Sequence, residues 1–368
     1  MKVLFVVTLY QEFLTDAYAA EPALAALPYE VQRDRLLGDS AAVVEAYELA
    51  LRPLGCETAV AIVNADPLQA RWANDHGLTP EGNVHDRRRA ILARQVAAWQ
   101  PDVVHVFEWS PLGDAFLGEL RPRVPLLSGQ IASPLRPERT YAAYDLMISS
   151  WPPIVDRFRR DGIGSEYIRH AFDARVLAGL TSGAPEYGVT FVGGFAPSHP
   201  NRAPWLERIL RDVPVDIFGY GLERVPAESP IHRHHRGAAW GHRMYEVLHR
   251  SRMTLNLHAI IDVRGEVDTN VAANMRLFEA TGVGTCLVTE WKPNLHEHFD
   301  PDREVISFRS DEECVEKLRY YLANDAERRA IAEAGHRRTM RDHVYEVRMG
   351  ELKAAWEKHL RRTGRSRS

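Results

Sequence analysis

Cysteine is scarce in this 368-residue chain: Cys56, Cys286 and Cys314 are its only thiols, odd in number and far apart. That spacing excludes a disulfide framework, and with no CxxC pair or Cys/His cluster it offers no tetrahedral zinc site. The thiols read as buried groups in a reducing cytoplasm. A charge excess is missing too, since 46 Lys and Arg stand against 50 Asp and Glu for a formal net charge of −4. A dedicated nucleic-acid binder, which needs a broad positive field, is therefore not expected. No apolar run approaches the ~18 residues of a membrane span, and no basic amphipathic helix is apparent to hold a bilayer surface. The N-terminal VLFVV is too short for a signal h-region before Gln11 and Glu12, so a cytoplasmic location is expected.

What is present is the composition of a globular protein, 45% hydrophobic and 26% charged, with a length that suggests two domains. Lys2-Val-Leu-Phe-Val-Val-Thr8 has the continuous apolar run of a strand buried on both faces. Residues 84–99 carry a helical pattern through Ile91, Leu92, Val96 and Trp99. Pro101-Asp102 stops it, and Val103-Val-His-Val-Phe107 reads as a central strand. Strands at 125–128 and 146–149, and a helix through Ile154 and Phe158, continue the alternation. The turn-rich stretch 181–188 marks the expected boundary, giving domains at 1–180 and 181–345 and a helix with a basic tail at 346–368. A second βα series has strands at 189–192, 215–218, 253–257, 285–288 and 305–308, and residues 311–360 are helical by pattern. The fold class is α/β: two Rossmann-like sheets expected to face each other across a cleft lined by strand C-termini.

The most informative segment is RLFEATGVGTCLVTE, Arg276 to Glu290, a short helix closed by glycine and followed by a strand. Arg276 and Glu279 share one helix face. A carboxylate there can bind two ribose hydroxyls while the guanidinium forks a phosphate. A plain i, i+3 surface pair is an equally open reading.

Together with the preceding RMTLNLHA (Arg252 to Ala259) and the later DAERRAIAEAGHRRTMRDHVYEVRM (Asp325 to Met349), this segment resembles the donor half of GT-B glycosyltransferases of group 1, nearest to the CgeB-like type. The likeness is sequence-level over about residues 186–350 and fold-level before them. It implies a GT-B fold whose C-terminal helices pack back. It also implies transfer of a sugar from a nucleotide diphosphosugar, with UDP as the expected carrier, to a hydroxyl of a small-molecule acceptor. No resident cofactor or metal is implied, and retention of configuration is the family expectation. A nucleotide-sugar epimerase or hydrolase, or a binding protein without catalysis, are the alternatives; no nucleic-acid or membrane partner is expected.

Carried over by position, Glu279 would bind the ribose, and Arg276 with Asn274 would face the diphosphate or sugar. The loop from Gly193-Gly194 to Arg202 would approach the phosphates, since glycine lets backbone N–H groups come close to an anion. A tight βα turn is the plain alternative. Trp240 offers a face for a nucleobase, with Tyr220 as a second candidate. Asn256 and His258 share a strand face toward the expected donor pocket, although a histidine satisfied by a backbone partner is equally open. The polar loop 262–270, with Arg264 and Glu266, has the length to cover a sugar. The cluster His232-Arg-His-His-Arg236 lacks an i, i+4 pair and carboxylates, and reads as a loop without metal.

In the N-terminal half, Glu108 follows a strand directly and is a candidate base or oxocarbenium stabiliser, with a helix cap as the alternative. His105 reads as core. Tyr10 and Trp109 are acceptor candidates, while Phe13, Tyr18, Tyr29 and Trp72 read mainly as packing. Two departures stand out: Val271 occupies the place of the first glutamate of a paired-glutamate motif, and Thr8-Leu-Tyr-Gln-Glu12 is not glycine-rich.

Overall fold

The computed structural model describes residues 1–40, 43–108, 112–196, 199–263, 266–268 and 270–364. They form two compact units, Met1–Arg169 with Arg348–Ser368, and His170–Val347.

The first unit is built on a six-stranded parallel sheet of β1 (Lys2–Val7), β2 (Glu57–Ile62), β3 (Val103–Phe107), β4 (Leu126–Gln130), β5 (Leu146–Ser149) and β6 (Gly164–Tyr167), in the order β2-β1-β3-β4-β5-β6. β1 pairs on both sides and is buried from Val3 to Val7, as its unbroken apolar run requires. The helix Val84–Trp99 starts where the Asn83 side chain accepts from the His85 and Asp86 N–H groups, and ends at Gln100 in a left-handed conformation before Pro101. Two strands carry no strong sequence signal. β2 is Glu-Thr-Ala-Val-Ala-Ile, poor in bulky residues, and β6 is Gly-Ser-Glu-Tyr at the sheet edge, where one side needs no hydrophobic cover.

The second unit holds a five-stranded parallel sheet, β7 (Tyr187–Val192), β8 (Asp216–Phe218), β9 (Ser251–Asn256), β12 (Cys286–Glu290) and β13 (Ile306–Phe308), in the order β13-β12-β9-β7-β8. Between β9 and β12, in place of the expected plain loop, lies an antiparallel hairpin of β10 (Ile261–Val263) and β11 (Glu266–Asp268). Side chains alternate across the sheet. Val189, Phe191, Met253, Leu255 and Val288 join one core, and Val192 and Leu287 the other. Each fully buried aliphatic side chain contributes about 1.5–3 kcal/mol.

The units differ from the sequence boundaries at both ends. The division falls after Arg169 rather than at 180, because Phe172 is fully buried in a core of the second unit and rests on Gly282. Residues 311–360 form three helices, Asp311–Ala323, Asp325–Asp342 and Tyr345–Thr363. The last is no appendage: Trp356 is fully buried in the first unit, its indole N–H donates to Ser128 Oγ at 3.2 Å, and its ring centre lies 5.4 Å from that of His105.

Candidate functional site

In the second unit the sequence candidates converge on the C-terminal end of β7. Gly193 and Gly194 follow Val192, and the Gly193 N–H donates to the Phe218 carbonyl at 2.9 Å. A Cβ on Gly194 would lie 2.3 Å from the Tyr220 ring, so glycine is what lets that ring rest on the backbone. Arg202 opens the helix Arg202–Leu210 and donates from Nη1 to the Gly194 carbonyl. Its guanidinium lies 5.3 Å from the centre of the Phe191 ring. Arg276 opens the helix Arg276–Gly282 and reaches the Val192 carbonyl from Nη2 at 3.1 Å.

Burial, and then the charge of Arg276, lower the pKa of Arg202 to about 10. Among the described residues no carboxylate pairs with Arg202, and its buried Nε has no hydrogen-bond partner. Arg276 has one carboxylate, Glu279 Oε2, 2.9 Å from its Nη1. The i, i+3 pair therefore exists, but Glu279 is only 7% exposed, so it is not the solvated surface pair of the plain reading. Two guanidiniums against one carboxylate leave net positive charge at the end of a parallel strand, where open α/β sheets take ligands. The arrangement suits a doubly charged phosphate group.

Tyr220 and Trp240 are brought together, with ring centres 4.6 Å apart and planes inclined by 27°. They are 46% and 54% exposed, an uncommon exposure for stacked aromatics on a glycine-lined loop. The histidine cluster is used locally: His232 Nε2 lies 3.0 Å from the Pro226 carbonyl and His235 Nε2 2.9 Å from that of Gly219. Among the described residues no three His, Cys, Asp or Glu side chains are grouped to hold a metal ion.

Asn256, His258 and Asn274 meet, and their polar groups are turned on one another. Asn274 Nδ2 donates to Asn256 Oδ1 at 2.8 Å and to the Leu257 carbonyl at 3.1 Å. Asn256 Nδ2 donates to Thr289 Oγ1 at 2.9 Å. His258 Nδ1 lies 2.6 Å from Asn274 Oδ1, while its Nε2 lies 3.1 Å from the Glu290 carbonyl and 3.3 Å from Thr289 Oγ1. Burial pushes the His258 pKa down to about 4, so the ring is neutral near pH 7. Its two ring nitrogens face two acceptors, Asn274 Oδ1 and the Glu290 carbonyl, so the single proton of the neutral ring serves one of them. The polar groups of Asn256, His258 and Asn274 thus form a buried network. Thr289, absent from the sequence candidates, completes it; its one signal was a polar residue inside an otherwise apolar strand.

In the first unit, Glu108 is 2% exposed, and its carboxylate is not free to meet an acceptor hydroxyl. Arg139 Nη1 lies 3.2 Å from its Oε2, and the Tyr144 hydroxyl donates to its Oε1. Burial raises its pKa against the opposing charge of Arg139. Arg139 also binds Asp114 Oδ1 at 2.6 Å and the Leu112 carbonyl at 2.8 Å, so the carboxylate belongs to a clamp on the segment after β4. His105 is core as expected, between Ser128 Oγ and Gln130 Oε1 at 3.1 Å each, with burial lowering its pKa to about 4. Tyr10 is 76% exposed just before the helix Gln11–Ala20. Trp72 packs on His76 with ring centres 3.9 Å apart. Trp109 and Arg264 lie outside the described residues.

Residues 202–354 match the family model described as "Glycosyl transferase-like". No curated protein matches the chain. Among solved structures, Anabaena Alr3699/HepE in complex with UDP-glucose is similar at 10% identity, covering 97% of this chain and 100% of that one, with a TM-score of 0.61. Sucrose-phosphate synthase from Thermosynechococcus elongatus is 11% identical, covering 97% of this chain and 98% of that one, with a TM-score of 0.60. AviGT4, a glycosyltransferase involved in avilamycin A biosynthesis, is 17% identical over 98% of each chain, with a TM-score of 0.58. The two parallel-sheet units have the GT-B fold of these solved structures, and the family match is confined to residues 202–354.

Proposed function

We propose that this protein is a metal-independent, retaining glycosyltransferase of the CgeB-like type that moves a sugar from a nucleotide diphosphosugar to a hydroxyl of a small cytoplasmic molecule. The observation that carries the reading is the meeting of Arg202 and Arg276 at Val192–Gly194, with Glu279 paired to Arg276 and, among the described residues, no carboxylate paired to Arg202. In this reading the guanidiniums neutralise the diphosphate in the ground state and the charge that grows on it as the glycosidic bond breaks. Glu279 keeps acceptor capacity beyond its Arg276 contact for the ribose hydroxyls. Tyr220 and Trp240 supply the aromatic faces for the base. UDP is the first carrier to test because the Anabaena neighbour was solved with UDP-glucose. Retention rests on the family resemblance, and the cytoplasmic setting is supported by three free, buried cysteines.

A thermal-shift panel of UDP, GDP, ADP, CMP and dTDP, with and without a divalent cation, tests the reading. One diphosphate should raise the melting temperature without the cation, and Arg276→Ala should abolish the shift while leaving the unliganded melting temperature near the parental one. No shift with any nucleotide would overturn the donor site. Donor hydrolysis that no acceptor accelerates would favour the hydrolase or epimerase alternative.

A further inference from the structure

The segment from Val271 to Met275 leads into Arg276 and is buried at Val271, Ala272 and Ala273, yet belongs to no helix or strand. Buried backbone without secondary structure needs other partners, and side chains supply them. The Asn294 carboxamide pairs the Ala272 peptide on both sides, accepting its N–H at 2.7 Å and donating to its carbonyl at 3.0 Å, as a neighbouring strand would. His298 Nε2 lies 2.9 Å from the same carbonyl. The Asn256–Thr289–His258 network holds the Asn274 carboxamide at both its oxygen and its nitrogen. The lead-in to Arg276 is thereby gripped at residue 272 from the loop after β12 and at residue 274 from the end of β9 and the residues after it.

Resting on the donor site proposed above, we infer that Thr289 and Asn294 are positioning residues that aim Arg276 at the diphosphate without touching it. The Thr289 hydroxyl acts through Asn256 and His258 on Asn274, two residues before Arg276. Asn294 acts through the Ala272 peptide. Neither residue need meet the donor, because the grip on the lead-in is made by protein groups alone. Strand β12 thus contributes to phosphate binding through a hydroxyl that never contacts phosphate.

Titration calorimetry with UDP and with uridine on the full chain tests this. Thr289→Val preserves shape in a buried strand and removes the hydroxyl; it should weaken UDP by about tenfold, the scale of coupling within one hydrogen-bond network. Uridine, which has no phosphate, should bind as to the parent, and Thr289→Ser should restore UDP binding. Combined with Arg276→Ala, the Thr289→Val change should weaken UDP no further than Arg276→Ala alone. A merely structural role would lower the melting temperature and weaken UDP and uridine alike. That result, or a Thr289→Val loss that adds in full to that of Arg276→Ala, overturns the inference. If Thr289→Val does not fold, Asn294→Ser is run through the same cycle with the same criteria. A parental chain that binds no nucleoside diphosphate overturns the donor site itself and this inference with it, whereas parental binding with additive losses overturns only the positioning role.

Discussion

Arg276 Nη1 lies 2.9 Å from Glu279 Oε2, one helical turn away on the same face, while Nη2 of the same guanidinium holds the last carbonyl of β7. The arginine is thus oriented by a carboxylate and by the sheet together. Glu279→Gln removes the charge and keeps the shape. Inorganic pyrophosphate should bind this variant at least as tightly as the parent, because a negative charge beside the phosphates is gone, while UDP weakens through the ribose. Calorimetry with both ligands checks it, and a parallel loss of the two would remove Glu279 from the ribose.

Gly194 is the second test of the site. A methyl group there would sit 2.3 Å from the Tyr220 ring and displace it from the backbone and from Trp240. Gly194→Ala should change the tryptophan fluorescence and weaken UDP by about tenfold or more, a loss on the ~1–3 kcal/mol scale of one base–aromatic stack. Parental affinity with an altered spectrum would mean that the aromatic pair does not meet the base.

Gly335 predicts a stability effect opposite to helix propensity. Alanine in place of an interior helical glycine ordinarily gains about 0.5–1 kcal/mol, but here its Cβ would lie 2.3 Å from the Glu304 carbonyl. Gly335→Ala should therefore lower stability by about 1–3 kcal/mol. Urea unfolding measures it, and a gain would show that the helix moves freely away from that carbonyl.

Trp356 tests whether the C-terminal helix is part of the first core. Trp356→Ala opens a large cavity beside Phe5 and His105 and removes the indole N–H donor to the Ser128 hydroxyl. It should cost about 3–5 kcal/mol. A cost under 1 kcal/mol, on the scale of a surface substitution, would show the helix to be an addition after all.

Three histidines set an acid limit. His105, His199 and His258 have pKa values lowered to about 4, against 6.5 unperturbed, so between those values the unfolded chain binds protons that the native chain refuses. Stability should fall as pH drops from about 6.5 toward 4, by roughly 3 kcal/mol per histidine at most. The raised carboxyls of Glu48 and Glu108 act in the opposite sense, since their native forms bind protons more readily than the unfolded chain. Urea midpoints across this range should show a positive slope with pH that His105→Gln flattens; an unchanged slope would assign the acid sensitivity elsewhere.

The elements that the sequence makes legible are those whose own residues need no neighbour to declare them. Lys2–Val7 and Val103–Phe107 are unbroken apolar runs, and Val84–Trp99 carries its own cap and stop. β6 was not legible, because an edge strand of Gly-Ser-Glu-Tyr is defined by the strand beside it. The hairpin β10–β11 was hidden for the same reason, its pairing being local but its composition that of a polar loop.

At the site the division runs between residue type and direction. Local spacing put Arg276 and Glu279 on one helix face, and glycine at 193 and 194 signalled a close backbone approach, because both depend on neighbours a few residues away. Whether Glu108 presents or hides its carboxylate was settled by Arg139 and Tyr144, more than thirty residues distant in the chain. Asn256 and His258 share a strand face by their alternation, but only the fold brings Asn274 and Thr289 to them and Asn294 to Ala272. Chain order determined which groups exist and which strand ends carry them; where each polar atom points was decided by long-range packing, because every buried donor must find an acceptor wherever the folded chain supplies one.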